Sequence, residues 1–207
     1  MTNNIEKIYS DFIINFENKS DFVIDFYEKN SIYFNNIKQF KDKKELSLYI
    51  EMLCKYAEAI YQKNRYNLTL DIIAKKLLFI DNEIQRLNAA EIMDCRYYSL
   101  LFVKGMSSYY LKDYKTATPI FKELVHIDNQ NDLYKKWLTY SKYGLNLWLV
   151  KMINIVCGGF VLIQMVFDSQ INNYFSIVLL VIGLLGLLTN WSYEYYIGRN
   201  FRKANEN

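Results

Sequence analysis

Hydrophobic residues recur at helical spacing through the first two thirds of the chain, and strand-like alternation is scarce. One apolar stripe begins at Leu46 and continues at steps of three and four residues to Ile60, which is typical of an amphipathic helix. Asp42 and Glu45 precede this stripe with the spacing of a capping box. The pattern predicts an all-α domain over residues 1–144. Besides the helix around the stripe, the predicted helices are 5–16, 21–34, 66–80, 83–111, 114–127 and one from 133 onward.

Two strongly apolar stretches follow at the C-terminal end, over residues 145–167 and 174–194. Crossing a bilayer takes about 20 apolar residues in helical conformation. We therefore predict two transmembrane helices, joined by an external turn at 168–173 and followed by a basic tail at 195–207. Together with the domain before them, the predicted architecture is an all-α, helical-hairpin repeat domain followed by two membrane spans.

Aromatic residues at the edges of these stretches support the membrane interpretation. Trp148 lies near the start of the first stretch and Trp191 near the end of the second, and tryptophan collects at the level of the lipid headgroups. Lys151 lies just inside the first stretch, where its long side chain can extend to the headgroups. We expect these three residues to anchor the spans at one interface.

The distribution of positive charge predicts the orientation of the spans. Lysine and arginine flank the pair of stretches on both sides, whereas the turn between them has neither. Because cytoplasmic segments carry the excess of lysine and arginine, both termini should lie in the cytosol. The first residues of the chain contain no apolar signal-peptide core. We expect an integral protein of the plasma membrane with only the small turn outside.

Small and polar residues share one face in each predicted span. Asn154 and Gly158 lie four residues apart in the first, and Gly183, Gly186 and Asn190 share a face of the second. In lipid, helices associate through close packing at small residues and through interhelical hydrogen bonds. We predict that the two faces meet, either within one hairpin or between neighbouring hairpins of a homo-oligomer.

An internal repeat is visible in the domain at an offset of 48 residues. Residues of the first unit recur in the second with the same kind of side chain; the pairs are Ala57 with Gly105, Tyr66 with Tyr114, and Ile73 with Phe121. Repeats of this length are typical of stacked helical hairpins.

The second unit resembles a tetratricopeptide repeat. Gly105 stands where that family has a small residue, Ala117 is the small contact residue of the second helix, and Phe121 is its large packing residue. The usual proline is replaced by Asn129, and Thr69 replaces the small alanine in the first unit. The resemblance covers roughly residues 46–127 and implies a scaffold that binds peptides or helices in a concave groove.

The sequence offers little catalytic chemistry. His126 is the only histidine, the three cysteines are dispersed, and no glycine-rich phosphate motif occurs. The net charge of +3 is too small to indicate a nucleic-acid surface. We therefore expect neither an enzyme nor a metal or cofactor site.

Two function classes remain. The first is a membrane-anchored interaction module that holds a protein partner at the cytosolic face of the membrane. The alternative is a two-span effector, pore-forming or bilayer-disrupting, that the helical domain controls. Asn154, Gln164 and Asn190 suit either class, because polar groups in spans line pathways or join helices.

Overall fold

The computed structural model describes residues 5–14, 19–92, 95–167 and 173–205, and these residues form helices joined by short connections, with no strand among them. The helices are α1 Ile5–Ile14, α2 Ser20–Lys29, α3 Ser31–Asn36, α4 Lys43–Gln62, α5 Tyr66–Arg86, α6 Cys95–Tyr110, α7 Tyr114–Ile127, α8 Asp132–Phe167 and α9 Asn173–Asn205. A 3-10 turn, Ala90–Ile92, precedes α6. The prediction of an all-α chain that ends in two long apolar helices is confirmed.

The chain divides into two compact units, Met1–Asn129 and Gln130–Asn207. The helix predicted from residue 133 runs without a break into the first apolar stretch, so residue 144 lies inside α8. Residues 168–172 of the predicted turn lie outside the described residues, and Asn173 already belongs to α9. That helix continues to Asn205, through most of the predicted tail.

The prediction of one helix over residues 21–34 is wrong, because Asn30 separates α2 from α3. The Asn30 side-chain amide donates to the Phe26 carbonyl at 2.9 Å. Its backbone N–H donates to the same carbonyl at 3.3 Å. Asparagine competes for backbone groups in this way and therefore favours helix ends over helix interiors.

The prediction of one helix over residues 83–111 is also wrong. Helix α5 continues to Arg86 and is capped by Leu87. The next residue, Asn88, has a φ of 49° and lies in the left-handed region. The Ala89 N–H then donates to the Ile84 carbonyl at 2.9 Å, which is the main bond of a Schellman cap. Asparagine tolerates this backbone region better than most residues.

The same cap ends three successive helices at even intervals. Left-handed residues occur at Asn64, Asn88 and Lys112, and each step is 24 residues, half of the 48-residue repeat. After Asn64 the next N–H donates to the Ile60 carbonyl at 3.2 Å, and after Lys112 the next donates to the Ser108 carbonyl at 2.9 Å. The regular caps reverse the chain direction and produce stacked hairpins from α4 to α7.

Helix α4 is the centre of the domain and packs against α1, α2, α5 and α6. The predicted cap at its start is confirmed, since the Asp42 carboxylate accepts the Glu45 N–H at 2.9 Å. The Glu45 carboxylate in turn accepts the Lys41 N–H at 2.9 Å. A side-chain cap of this kind stabilises a helix by about 1 kcal/mol.

A buried carboxylate joins α5 to the connection before α4. Glu83 is only 5% exposed and accepts the Phe40 N–H at 2.7 Å and the Arg86 Nε–H at 2.8 Å. Arg86 also donates to the Phe40 carbonyl. The hydrogen bonds from Arg86 and from the Phe40 N–H lower the pKa of Glu83 although burial opposes the charge. This arrangement, which we call the Glu83 clamp, fixes the first hairpin.

Candidate functional site

The C-terminal hairpin of α8 and α9 presents aliphatic side chains to its surroundings. Two of its segments, Asp132–Val166 and Tyr174–Tyr196, are long and apolar enough to cross a membrane. The outward side chains include Ile155, which is 67% exposed, and Val166, which is 69% exposed. An apolar surface of this extent is expensive in water and favourable in lipid.

Polar groups inside the hairpin bond across from one helix to the other. The Asn190 side-chain amide donates to the Asn154 side-chain oxygen at 2.7 Å and to the Val150 carbonyl at 3.4 Å. Further along, the Gln164 amide donates to the Ser176 hydroxyl at 3.1 Å. The structure therefore brings Asn154 and Asn190 together, and it places Gln164 between the helices as well.

The glycines of α9 lie where α8 approaches most closely. A Cβ on Gly183 would lie 2.8 Å from Val161 Cγ2 and 2.9 Å from the Cys157 carbonyl oxygen. A Cβ on Gly186 would overlap the Cys157 sulfur. Both positions thus require glycine if the helices are to keep their present separation.

Gly158, which we predicted to share the packing face of the first span with Asn154, does not contact α9 within this hairpin. A Cβ on Gly158 would meet no atom within 4 Å, whereas its neighbour Cys157 is buried against α9. Successive helical residues point about 100° apart, so only one of the two can face the partner. Cysteine is itself small, and it supplies the close approach that we expected of glycine.

The interface residues follow a heptad-like spacing that the sequence analysis missed. Alternating steps of four and three residues connect the members on α8, which are Val150, Asn154, Cys157, Val161 and Gln164. Steps of seven, three and four connect the members on α9, which are Ser176, Gly183, Gly186 and Asn190. We call these nine residues the hairpin seam. The spacing is that of left-handed helix pairs, and it was hidden because the seam mixes polar, small and aliphatic residues.

The predicted interface anchors lie on the outer surface of the hairpin. Trp148 is 62% exposed and Trp191 is 68% exposed, and Lys151 is exposed as well. None of the three belongs to the seam. Their side chains are therefore available to the medium that surrounds α8 and α9.

The repeat residues of the domain occupy equivalent places in the two hairpins. A Cβ on Gly105 would lie 2.9 Å from the Phe121 ring, which is fully buried. Ala57 and Ile73 of the first hairpin, and Ala117 of the second, are fully buried too. Tyr66 and Tyr114 open α5 and α7.

Tyrosine rings join the turns of the two hairpins. The Tyr66 ring stacks on the Tyr110 ring with centroids 5.0 Å apart and an angle of 10°. The Tyr61 ring lies 5.5 Å from Tyr66, and the Tyr109 ring lies 5.4 Å from Tyr114. Burial raises the pKa of Tyr61. These five residues, the tyrosine cluster, pack the first hairpin against the second at their turns.

A recess of about 390 Å³ opens beside the start of α4. Its walls include the aromatic side chains Tyr33 and Phe40 together with Lys38, Gln39 and Glu45. Aromatic walls with a few polar and charged groups suit a peptide, whose main chain needs hydrogen bonds and whose side chains need apolar contact. We call this recess the α4 recess. Within the described ranges, no three His, Cys, Asp or Glu side chains gather as metal ligands do.

Comparisons of the chain with protein-family models, with curated proteins and with solved structures each found no match. The tetratricopeptide resemblance therefore rests on the residues of the repeat alone.

Proposed function

We propose that the chain is a membrane-anchored helical-repeat module, with both termini in the cytosol, that holds a protein partner at the membrane surface. The pairing of polar groups within the seam is the observation that best supports the proposed membrane anchor. Asn154 is hydrogen-bonded to Asn190 and Gln164 to Ser176 across the hairpin, while the outward side chains are mostly aliphatic and aromatic. The polar side chains of the seam are thus suited to insertion into lipid, since they have partners within the hairpin.

The helical domain supports the second half of the proposal. Regularly spaced caps end its helices, the hairpins pack against each other, and the repeat resembles a family whose members bind peptides or helices. We assign the partner to the α4 recess, because its aromatic walls and its Lys38, Gln39 and Glu45 side chains suit an extended or helical segment of another protein.

A two-span effector is the alternative. Gly158 and Gly159 favour it, because a Cβ on either would meet nothing within 4 Å and a second hairpin has room to approach there closely. In such an assembly the seam side chains would have to exchange partners to line a path.

Site-specific photocrosslinking in native membranes tests the interaction module. A photoreactive residue at Gln39, which lines the α4 recess, should give a discrete adduct with a protein partner. The same residue at Lys122, which is exposed on α7, serves as the control and should not. If both positions gave adducts in equal yield, or neither gave an adduct, the assignment of the partner to the α4 recess would be contradicted.

Vesicle leakage separates the module from the effector. The full chain, reconstituted into dye-filled vesicles, should leave the dye enclosed and should resist extraction at alkaline pH. Rapid leakage would favour the effector, and release of the chain by alkali would exclude the anchor.

A further inference from the structure

Two helix-to-helix connections bring basic and tyrosine side chains to one end of the helical domain. The connection from α4 to α5 carries Lys63 and Arg65, and that from α6 to α7 carries Lys112. The stacked rings of Tyr66 and Tyr110, 5.0 Å apart, hold the two connections side by side. We call these five residues the turn surface.

The turn surface has an excess of positive charge. Lys63 pairs with Asp21 at 2.7 Å, but among the described residues no carboxylate lies within ion-pair distance of Arg65 or Lys112. The adjacent Asp113 is engaged as a helix cap, because its carboxylate accepts the Thr116 N–H at 3.2 Å. Asp113 keeps its negative charge in this cap, so three cations, Lys63, Arg65 and Lys112, face two carboxylates, Asp21 and Asp113, and the turn surface retains one positive charge in excess.

Lys112 has a backbone conformation that is unfavourable for lysine. Its φ is 62°, whereas the two other caps of the same kind use Asn64 and Asn88. The left-handed region suits glycine and asparagine and disfavours longer side chains. A residue held in such a conformation is a reason to look for a function, and the charge is what lysine offers here that asparagine does not.

We propose that the turn surface binds the headgroups of anionic phospholipids. Each lysine or arginine close to an anionic bilayer strengthens binding about fivefold, and tyrosine is favoured at headgroup level. The tether is short, since only residues 128–131 and the first turns of α8, before residue 145, separate α7 from the predicted span. Once the hairpin is inserted, the bilayer is therefore present at high effective concentration. The inference rests on the membrane anchor proposed above and adds a second, lipid-selective contact.

Hydrogen exchange of the full chain in lipid nanodiscs tests this contact. We compare discs of phosphatidylcholine with discs that also contain phosphatidylglycerol. Amides of residues 62–66 and 110–114 should exchange several-fold more slowly in the anionic discs, and high salt should remove the difference.

Two matched double variants identify the charges responsible. R65Q/K112N removes two cations and keeps an asparagine at the left-handed cap, so the fold should be at least as stable. It should lose the protection, because two charges together account for about a 25-fold change in binding. K29Q/K41Q removes two exposed cations, one at the end of α2 and one before α4, that belong neither to the turn surface nor to the α4 recess, and should keep the protection.

Other results would contradict the lipid contact, and they differ in what they say about the membrane anchor. Equal exchange in the two kinds of disc, or equal loss of protection in the two variants, overturns the lipid contact while leaving the anchor intact. Failure of the chain to remain in any disc overturns the anchor, and the lipid contact with it.

Discussion

Replacement of Gly183 by alanine should separate the two helices of the hairpin. The new Cβ would lie 2.8 Å from Val161 Cγ2 and 2.9 Å from the Cys157 carbonyl oxygen. Carbon atoms in contact need about 3.5–4.0 Å, so α8 and α9 must move apart by roughly 0.5–1 Å. The carbonyl belongs to the main chain of α8 and cannot rotate away as a side chain could.

The size of the effect follows from the loss of close packing. A gap of this width removes about a quarter to a half of the dispersion energy of each contact, and overpacked sites lose typically about 1–3 kcal/mol. Alanine also favours helix by up to about 1 kcal/mol over glycine. Gly158→Ala gains the same helix propensity and meets no atom within 4 Å. The free energies of unfolding of the two variants should therefore differ by about 1–3 kcal/mol, with Gly183→Ala the less stable.

Reversible unfolding of the full chain in mixed micelles with a rising fraction of SDS measures this difference. Gly183→Ala should unfold at a lower SDS fraction than the natural chain, and Gly158→Ala should match the natural chain or exceed it. Equal midpoints for the two variants would refute the seam as the place where the helices meet.

Three further predictions concern other contacts. Leucine at Asn154 and at Asn190 should each destabilise the hairpin. A double-mutant cycle in mixed micelles should give a coupling energy of about 0.6–2 kcal/mol between the two positions, and no coupling would contradict the 2.7 Å hydrogen bond between the two side chains. Gly105→Ala should cost about 1–3 kcal/mol because the new Cβ meets the buried Phe121 ring at 2.9 Å, and adding Phe121→Leu should restore part of that loss in thermal unfolding. The pKa of Glu83 is lowered in the folded chain, so its contribution to the free energy of unfolding is present above pH 4.5 and is lost as the pH falls below that value. Glu83→Gln should therefore destabilise the domain at neutral pH and reduce its loss of stability in acid; an unchanged pH profile in urea titrations would count against the clamp.

Much of the fold was predictable because strong local signals agree with the tertiary structure. The helix predicted over residues 114–127 is α7 to the residue, since Asp113 caps it and its apolar residues keep helical spacing. The cap at Asp42 was also predicted correctly.

The wrong predictions arise where a single residue determines the end of a helix or the close approach of two helices. Asn30 and Asn88 end helices through local hydrogen bonds and a left-handed backbone, although the apolar pattern continues past them. In the hairpin, glycine was the obvious candidate for close approach, but the rotation of α8 selects Cys157 instead of Gly158. Such a rotation depends on how both helices pack together, and the spacing on one helix does not determine it.

Labelling of single cysteines from outside the cell tests the central claim most directly. In a chain whose natural cysteines are replaced, a membrane-impermeant maleimide should label Ser169→Cys, in the segment between the two apolar stretches, in intact cells. It should label Ser10→Cys and Asn205→Cys only after the cells are opened. Labelling of all three positions in intact cells, or of none of them until the cells are opened, would contradict a two-span hairpin with both termini in the cytosol.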